Sequence, residues 1–147
     1  MLVSEAMTRG AKTTRPDSTL QEASVEMNKY HISCLIVVSG SGLIEGIITE
    51  RDFMKAVEKN LLPSKTKVKD FMAKKDDLIM IGQDATLEEA ADAMEKYKVK
   101  RLPVVDDEEN LVGIITATDL ISKKELMSEK IESLIGMKKK SFAGVAG

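Results

Sequence analysis

Tryptophan is absent from this 147-residue chain, which has only two tyrosines and three phenylalanines. It therefore offers no row of aromatic platforms on which single-stranded nucleic acid could stack. A single cysteine, Cys34, excludes an internal disulfide, and a single histidine, His31, leaves no cluster of Cys and His to hold a metal. Cys34 opens an apolar run in which an inert buried thiol is expected. Three residues across a helix-to-strand turn do not aim it at His31, so a nucleophile and base pair is not expected. Walker-type phosphate loops and Gly-x-Gly-x-x-Gly are missing. No apolar run approaches bilayer length, and nothing reads as a signal peptide, which points to the cytoplasm and away from membranes. Net charge is −2 with both signs mixed throughout, so there is no basic field for nucleic acid. No reaction chemistry is visible, and the chain reads as a non-enzyme.

What is present is a duplication. Gly46-Ile47-Ile48-Thr49-Glu50-Arg51-Asp52 returns as Gly113-Ile114-Ile115-Thr116-Ala117-Thr118-Asp119. Laying 17–53 on 84–120 gives 16 identities in 37 positions without an insertion, where chance pairing gives about two or three. Each copy is one supersecondary unit built twice, and units this small bury a core by packing on each other.

Within each copy the periodicities agree. Thr13–Arg15 and Ile79–Ile81 read as short strands. Thr19-Leu20-Gln21-Glu22 and Thr86-Leu87-Glu88-Glu89 read as capping boxes that start helices. Leu20, Ala23, Met27 and Tyr30, matched by Leu87, Ala90, Met94 and Tyr97, form one apolar stripe per helix, with the methionines as core filler. Cys34–Val38 with Ile44–Thr49, and Leu102–Val105 with Leu111–Thr116, read as hairpins that deliver into helices beginning at Thr49 and Thr116. The expected fold is mixed α/β, with a three-stranded sheet and two helices in each copy. The expected divisions are repeat 1 at 1–60, a linker at 61–67, repeat 2 at 68–122, and a C-terminal helix and tail at 123–147. Phe53, Met54 and Val57 fit either core or an exposed pairing face.

Thr-x-x-Asp at the start of a helix has a plain explanation, because it caps the helix by itself. A ligand reading rests on the fact that the constellation recurs while its intervening residues change from Glu50-Arg51 to Ala117-Thr118. Helix starts leave amides pointing at an anion, Asp supplies two acceptors for a diol such as ribose, and Thr supplies a hydroxyl. Arg51 or Arg101 can neutralise phosphate. Together these features suit a nucleotide.

The Val-x-x-x-Met lead-in, the Leu102-Pro103-Val104-Val105-Asp106 strand and the doubled Gly-Ile-Ile-Thr-x-x-Asp ending resemble CBS domains over about residues 1–122. The resemblance implies two tandem β-α-β-β-α repeats packed with pseudo-twofold symmetry. It also implies an adenosyl ligand (AMP, ADP or ATP, with S-adenosylmethionine or NAD as further members) in clefts between the repeats. By that resemblance Asp52 and Asp119 hold ribose, and Thr49 and Thr116 contact the sugar-phosphate. Lys100 and Arg101, before Pro103, take phosphate, with Arg101 dominant. Thr14 and Met80 line the base pocket, with Ile32, Ser33 and Val99 as further walls, and Arg51 and Thr118 complete the helix starts. Repeat 1 has Ser33-Cys34-Leu35-Ile36 where repeat 2 has Lys100-Arg101-Leu102-Pro103, so equal binding is not expected. The implied assembly is a homodimer that signals to an effector protein, with no cofactor or metal required. The competing reading is a structural or dimerisation protein with empty clefts.

Overall fold

The computed structural model describes residues 1–122 and 134–136. Of the expected C-terminal helix and tail, all but Leu134–Gly136 lies outside them. Two compact units emerge, and their boundaries cut across the sequence copies. Unit 1 gathers Met1–Gly10, Ile79–Glu108 and Val112–Gly147, and unit 2 gathers Ala11–Leu78 with Glu109–Leu111.

Unit 2 contains β2 (Thr13–Thr14), α2 (Leu20–Tyr30), β3 (Cys34–Val38), β4 (Ile44–Thr49), α3 (Glu50–Glu58) and β5 (Ala73–Lys74). Unit 1 contains α1 (Val3–Ala6), β1 (Thr8–Arg9), β6 (Ile81–Gly82), α4 (Leu87–Tyr97), β7 (Arg101–Val105), β8 (Leu111–Thr116, its first residue grouped with unit 2) and α5 (Ala117–Ile121). The sheets are four-stranded, in the orders β2-β3-β4-β5 and β1-β8-β7-β6. The fourth strand, not foreseen from the repeat, is supplied in each case by the segment that leads into the other copy. β5 lies antiparallel on β4 at Gly46 and Ile47, and β1 lies antiparallel on β8 at Gly113 and Ile114.

Equivalent hydrogen bonds fix both lead-ins. The Leu20 amide donates to the Thr66 carbonyl as Leu87 donates to Met1, and Val68 donates to Ser18 as Val3 donates to Ala85. Val3 and Val68, both fully buried, are the apolar pins of these segments. Their burial in the other copy's core is the physical reason a lead-in and the repeat that follows it part company.

Each core is aliphatic. Leu20, Ala23, Met27, Leu35, Val37, Ile48, Ala56 and Val68 fill unit 2. The corresponding core of unit 1 includes Leu87, Ala90, Met94, Leu102, Val104, Ile115 and Leu120. Tyr30 and Tyr97 leave the expected stripe and are exposed. Each is the last residue of its helix, and the chain turns away through a left-handed cap at His31 or Lys98. Phe53 packs on the core, whereas Met54 and Val57 project outward, 72% and 74% exposed.

The capping boxes differ in detail. Thr86 and Glu89 exchange both bonds of the box. Thr19 accepts from the Glu22 amide, but the Glu22 carboxylate takes the Thr19 hydroxyl instead of its amide.

Prolines set the ends of the two parallel ladders. In unit 2 the pairs are Thr13 with Ile36 and Thr14 with Val37, and the Ile36 amide donates to Lys12. In unit 1 they are Ile81 with Val104 and Gly82 with Val105, and the Gln83 amide donates to Val105. Pro103 occupies the place of Ile36 and has no N–H to give, so the ladder of unit 1 starts one residue later. Pro16 occupies the place of Gln83, so the ladder of unit 2 ends one residue sooner. This is why the second short strand is Ile81–Gly82 and not Ile79–Ile81.

Candidate functional site

Each unit builds the same junction where its last long strand runs into a helix. In unit 2, Cys34 stands opposite Thr49 on the β3–β4 ladder, and the Glu50 amide donates to the Ser33 carbonyl at 3.2 Å. In unit 1 the Ala117 amide donates to the Lys100 carbonyl at 2.8 Å. The residue before the inner strand is thereby held against the first turn of the helix, which brings Ser33 to Thr49 and Asp52, and Lys100 to Thr116 and Asp119.

The two aspartates do not reach out with both oxygens. Oδ2 of Asp52 accepts from the Thr49 amide at 2.8 Å, and Oδ2 of Asp119 accepts from the Thr116 amide at 2.9 Å. Thr116 Oγ1 in turn accepts from the Asp119 amide at 3.1 Å. The plain explanation of Thr-x-x-Asp therefore holds, since both pairs cap their helices. The expectation of open amides must be narrowed accordingly. The first amide of each helix is engaged by a carbonyl, and in α5 the third is engaged by Thr116. A carboxylate has about four lone-pair directions, so a cap made by one oxygen leaves acceptor capacity on the other. Asp52 is 7% exposed, while Asp119 is half-buried.

The remaining expected residues sort by unit. Thr14 pairs with Val37 and lines a groove with Thr13, Arg15, Ser18, Glu22, Val25 and Glu26. Ile32 packs on the core of unit 2, and Arg51 is exposed on the first turn of α3. In unit 1 Met80 is half-buried just before β6, Pro103 is buried in β7, Arg101 is half-buried and Thr118 is exposed. Val99 and Lys100 line a hollow with Met94, Glu95, Lys98 and Leu134. Neither the groove nor that hollow contains the Thr and Asp of its unit's junction.

Cys34 is half-buried and not interior, because it is the first residue of its strand and faces Thr49. The expectation of a buried thiol is corrected on this point. The alignment of Cys34 with Arg101 is the sequence signal that it stands at the junction. His31 serves as the left-handed cap of α2, with φ 53°. Among the described residues no group of three or more His, Cys, Asp and Glu is placed to hold a metal, and no helix is long and apolar enough to cross a membrane.

The family model described as CBS domain matches residues 3–59 and 68–129. An inosine-5'-monophosphate dehydrogenase of Methanocaldococcus jannaschii is 42% identical over 122 residues, which cover 82% of this chain and 23% of that enzyme. The chain thus spans less than a quarter of that relative's length. The CBS domain-containing protein YhcV of Bacillus subtilis is 31% identical over 118 residues, covering 80% of this chain and 81% of that protein. The solved CBS domain pair of protein MJ0100, in complex with 5'-methylthioadenosine and S-adenosyl-L-methionine, aligns with a TM-score of 0.74 at 30% identity, covering 83% of this chain and 94% of that one.

Proposed function

The chain belongs to the CBS domain family, and from that premise we propose that it is a regulatory module binding an adenosyl ligand at its strand-to-helix junctions. The observation that carries this reading is the repeated constellation of Thr49 with Asp52 and Thr116 with Asp119. In both units the carboxylate is locked by its own cap beside the residue that precedes the inner strand. A prearranged carboxylate binds a diol without paying to order itself. The similar MJ0100 pair was solved with two adenosine derivatives, which supports that ligand class over others. Within the class, AMP, ADP and ATP suit Lys100 and Arg101, and S-adenosylmethionine and NAD share the ribose that the aspartates would hold.

Regulation follows from linkage. A ligand that favours one conformation of the protein shifts the population towards it, and that shift is felt by whatever binds the favoured form. The recipient is an effector protein or a second copy of the chain. The apolar face of α3 formed by Met54 and Val57 supports self-association. The dehydrogenase relatives match over a small share of their length, so their chemistry does not transfer here.

Thermal unfolding with a panel of AMP, ADP, ATP, S-adenosylmethionine and NAD tests the reading. A ligand at one hundred times its Kd adds about 2.7 kcal/mol to the native state, which raises the melting temperature by several degrees. Asp52→Ala and Asp119→Ala should each abolish the shift due to their own junction. If no member of the panel raises the melting temperature, the structural reading with empty sites takes its place.

A further inference from the structure

The two junctions share their Thr and Asp but carry opposite charge. In unit 2 the junction residues are Ser33, Cys34, Glu50, Arg51 and Asp52, so Arg51 against two carboxylates leaves one net negative charge. In unit 1 the same positions are Lys100, Arg101, Ala117, Thr118 and Asp119, so two cations against one carboxylate leave one net positive charge. The backbone geometry makes the comparison like for like, because Ser33 and Lys100 are each tied by their carbonyl to the first helix amide, at 3.2 and 2.8 Å.

Two other cations of unit 2 have neighbours of their own. The Lys12 ammonium sits 4.2 Å from the centre of the Tyr30 ring, and the Arg15 guanidinium lies against Gly40 in the hairpin turn. Glu50, exposed at the first position of α3, stands where unit 1 has the uncharged Ala117.

We propose that the units sort nucleosides by charge: the junction of unit 1 takes a 5'-phosphorylated nucleoside, and that of unit 2 takes a nucleoside without a phosphate. The physical basis is a difference of two charges at otherwise matching sites. A phosphate gains charge-assisted hydrogen bonds from Lys100 and Arg101 against the single carboxylate of Asp119, whereas in unit 2 it has Arg51 alone against the like charges of Glu50 and Asp52. A neutral nucleoside needs the carboxylate and the hydroxyl alone, which unit 2 retains in Asp52 and Thr49. This inference rests on the reading that these junctions hold nucleosides.

Calorimetric titration with AMP and with adenosine, at low and high salt, tests it in three proteins. The wild-type chain should show one site that prefers AMP over adenosine by about tenfold to a hundredfold, as one or two charge-assisted bonds would give. That preference should weaken with salt, and a second site should prefer adenosine. K100S/R101C should lose the AMP preference while still binding adenosine, and S33K/C34R should acquire an AMP preference at the second site. Circular dichroism and melting temperature establish that each variant is folded, with R101Q replacing the double variant if that one is not. An unchanged AMP-to-adenosine ratio in folded K100S/R101C overturns the sorting but leaves nucleotide binding standing. Equal loss of both ligands in that variant also overturns it. Failure of the wild-type chain to bind either compound instead sinks the functional reading on which the sorting rests.

Discussion

Unit 1 and unit 2 are two solutions to one folding problem, and they differ where the chain approaches the junction. Pro103 deprives unit 1 of the amide with which Ile36, in unit 2, holds the carbonyl of Lys12. The backbone from Ile79 to Met80 is thereby released from the ladder, whereas Thr13 and Thr14 are bound into it. The same strand carries Lys100 and Arg101 at its entrance in unit 1, and Ser33 and Cys34 in unit 2. A duplicated sequence thus retains its caps and its core and varies the edge strand and the entrance. Core positions are constrained by packing on every side, while the entrance residues are half-buried or exposed and tolerate change; the buried Ile36/Pro103 position is the exception.

The harshest test of the comparison falls on the glycines over which the exchanged lead-ins pass. A Cβ at Gly46 would lie 2.2 Å from the Ala73 carbonyl oxygen, and one at Gly113 would lie 2.7 Å from both the Thr8 carbonyl oxygen and Met7 Sδ. Backbone oxygens in a ladder cannot swing aside as a thioether can. Gly46→Ala should therefore destabilise by about 3 kcal/mol and Gly113→Ala by about 2 kcal/mol, read as the shift in the denaturant midpoint. If both were neutral, the lead-ins would not be seated on β4 and β8.

The caps come next. Asp52→Ala removes the bond to the Thr49 amide, and Asp119→Ala the bond to the Thr116 amide. Each should cost about 1 kcal/mol of stability in the absence of ligand. Asp52 should cost the more of the two, since it is only 7% exposed and water replaces its bond poorly. Equal and negligible losses would show that the two carboxylates are held for a ligand and not for the helix.

Restoring the missing donor is a gentler test. Pro103→Ile copies Ile36 into unit 1 and should extend the parallel ladder by one pair, opposite Met80, stabilising by about 0.5 to 1 kcal/mol. Hydrogen exchange reads this directly, as protection of the amide that the substitution creates. No such protection would mean that something other than the proline ends the ladder.

Much of this architecture was legible in the sequence because it is written in short-range patterns. The alternation in β3, β4, β7 and β8, the stripes of α2 and α4, and the doubled Thr-x-x-Asp each fix an element from its own residues. The exchange of lead-ins was not legible in that way, since the Val-x-x-x-Met pattern of Val3 and Val68 is the same whichever core it packs on. A trace of it existed all the same. The copies repeat at an interval of 67, but Val3 to Val68 and Met7 to Met72 repeat at 65, so the lead-ins keep a register of their own. At the site, residue types and spacing announced the carboxylates and offered capping and ligand binding as rival readings, without deciding that one oxygen of each aspartate is taken by its cap. That depends on the Thr φ and ψ values, which the sequence does not print.

The smallest effect separates the units most finely. Asp17 lies 3.0 Å from Lys69 and 3.6 Å from Lys67, tying the start of repeat 1 to the lead-in of unit 2. In unit 1 the matching positions are Asp84, Ser4 and Leu2, so the pair has no counterpart. The hydrogen bond and charge of Lys69, followed by the charge of Lys67, hold the Asp17 carboxyl below its ordinary value of 3.8, and Asp17 holds Lys69 above its ordinary 10.5. A depressed carboxylate contributes stability above its unfolded pKa and loses it as pH falls through the folded one. A raised lysine contributes below its unfolded pKa and loses it as pH rises through the folded one. The contribution of the pair is therefore complete between 3.8 and 10.5, and because all three side chains are exposed it is slight and screened by salt. Asp17→Asn should lower the melting temperature marginally at pH 7 in low salt, and the difference from wild type should vanish in high salt and shrink on acidification. Asp84→Asn, with no lysine at the matching positions, should leave the melting temperature at pH 7 unchanged in low and high salt alike. Should the two substitutions behave alike, the charge pairing of unit 2 would not distinguish it from unit 1, and the asymmetry would reside wholly in the prolines and the junction residues.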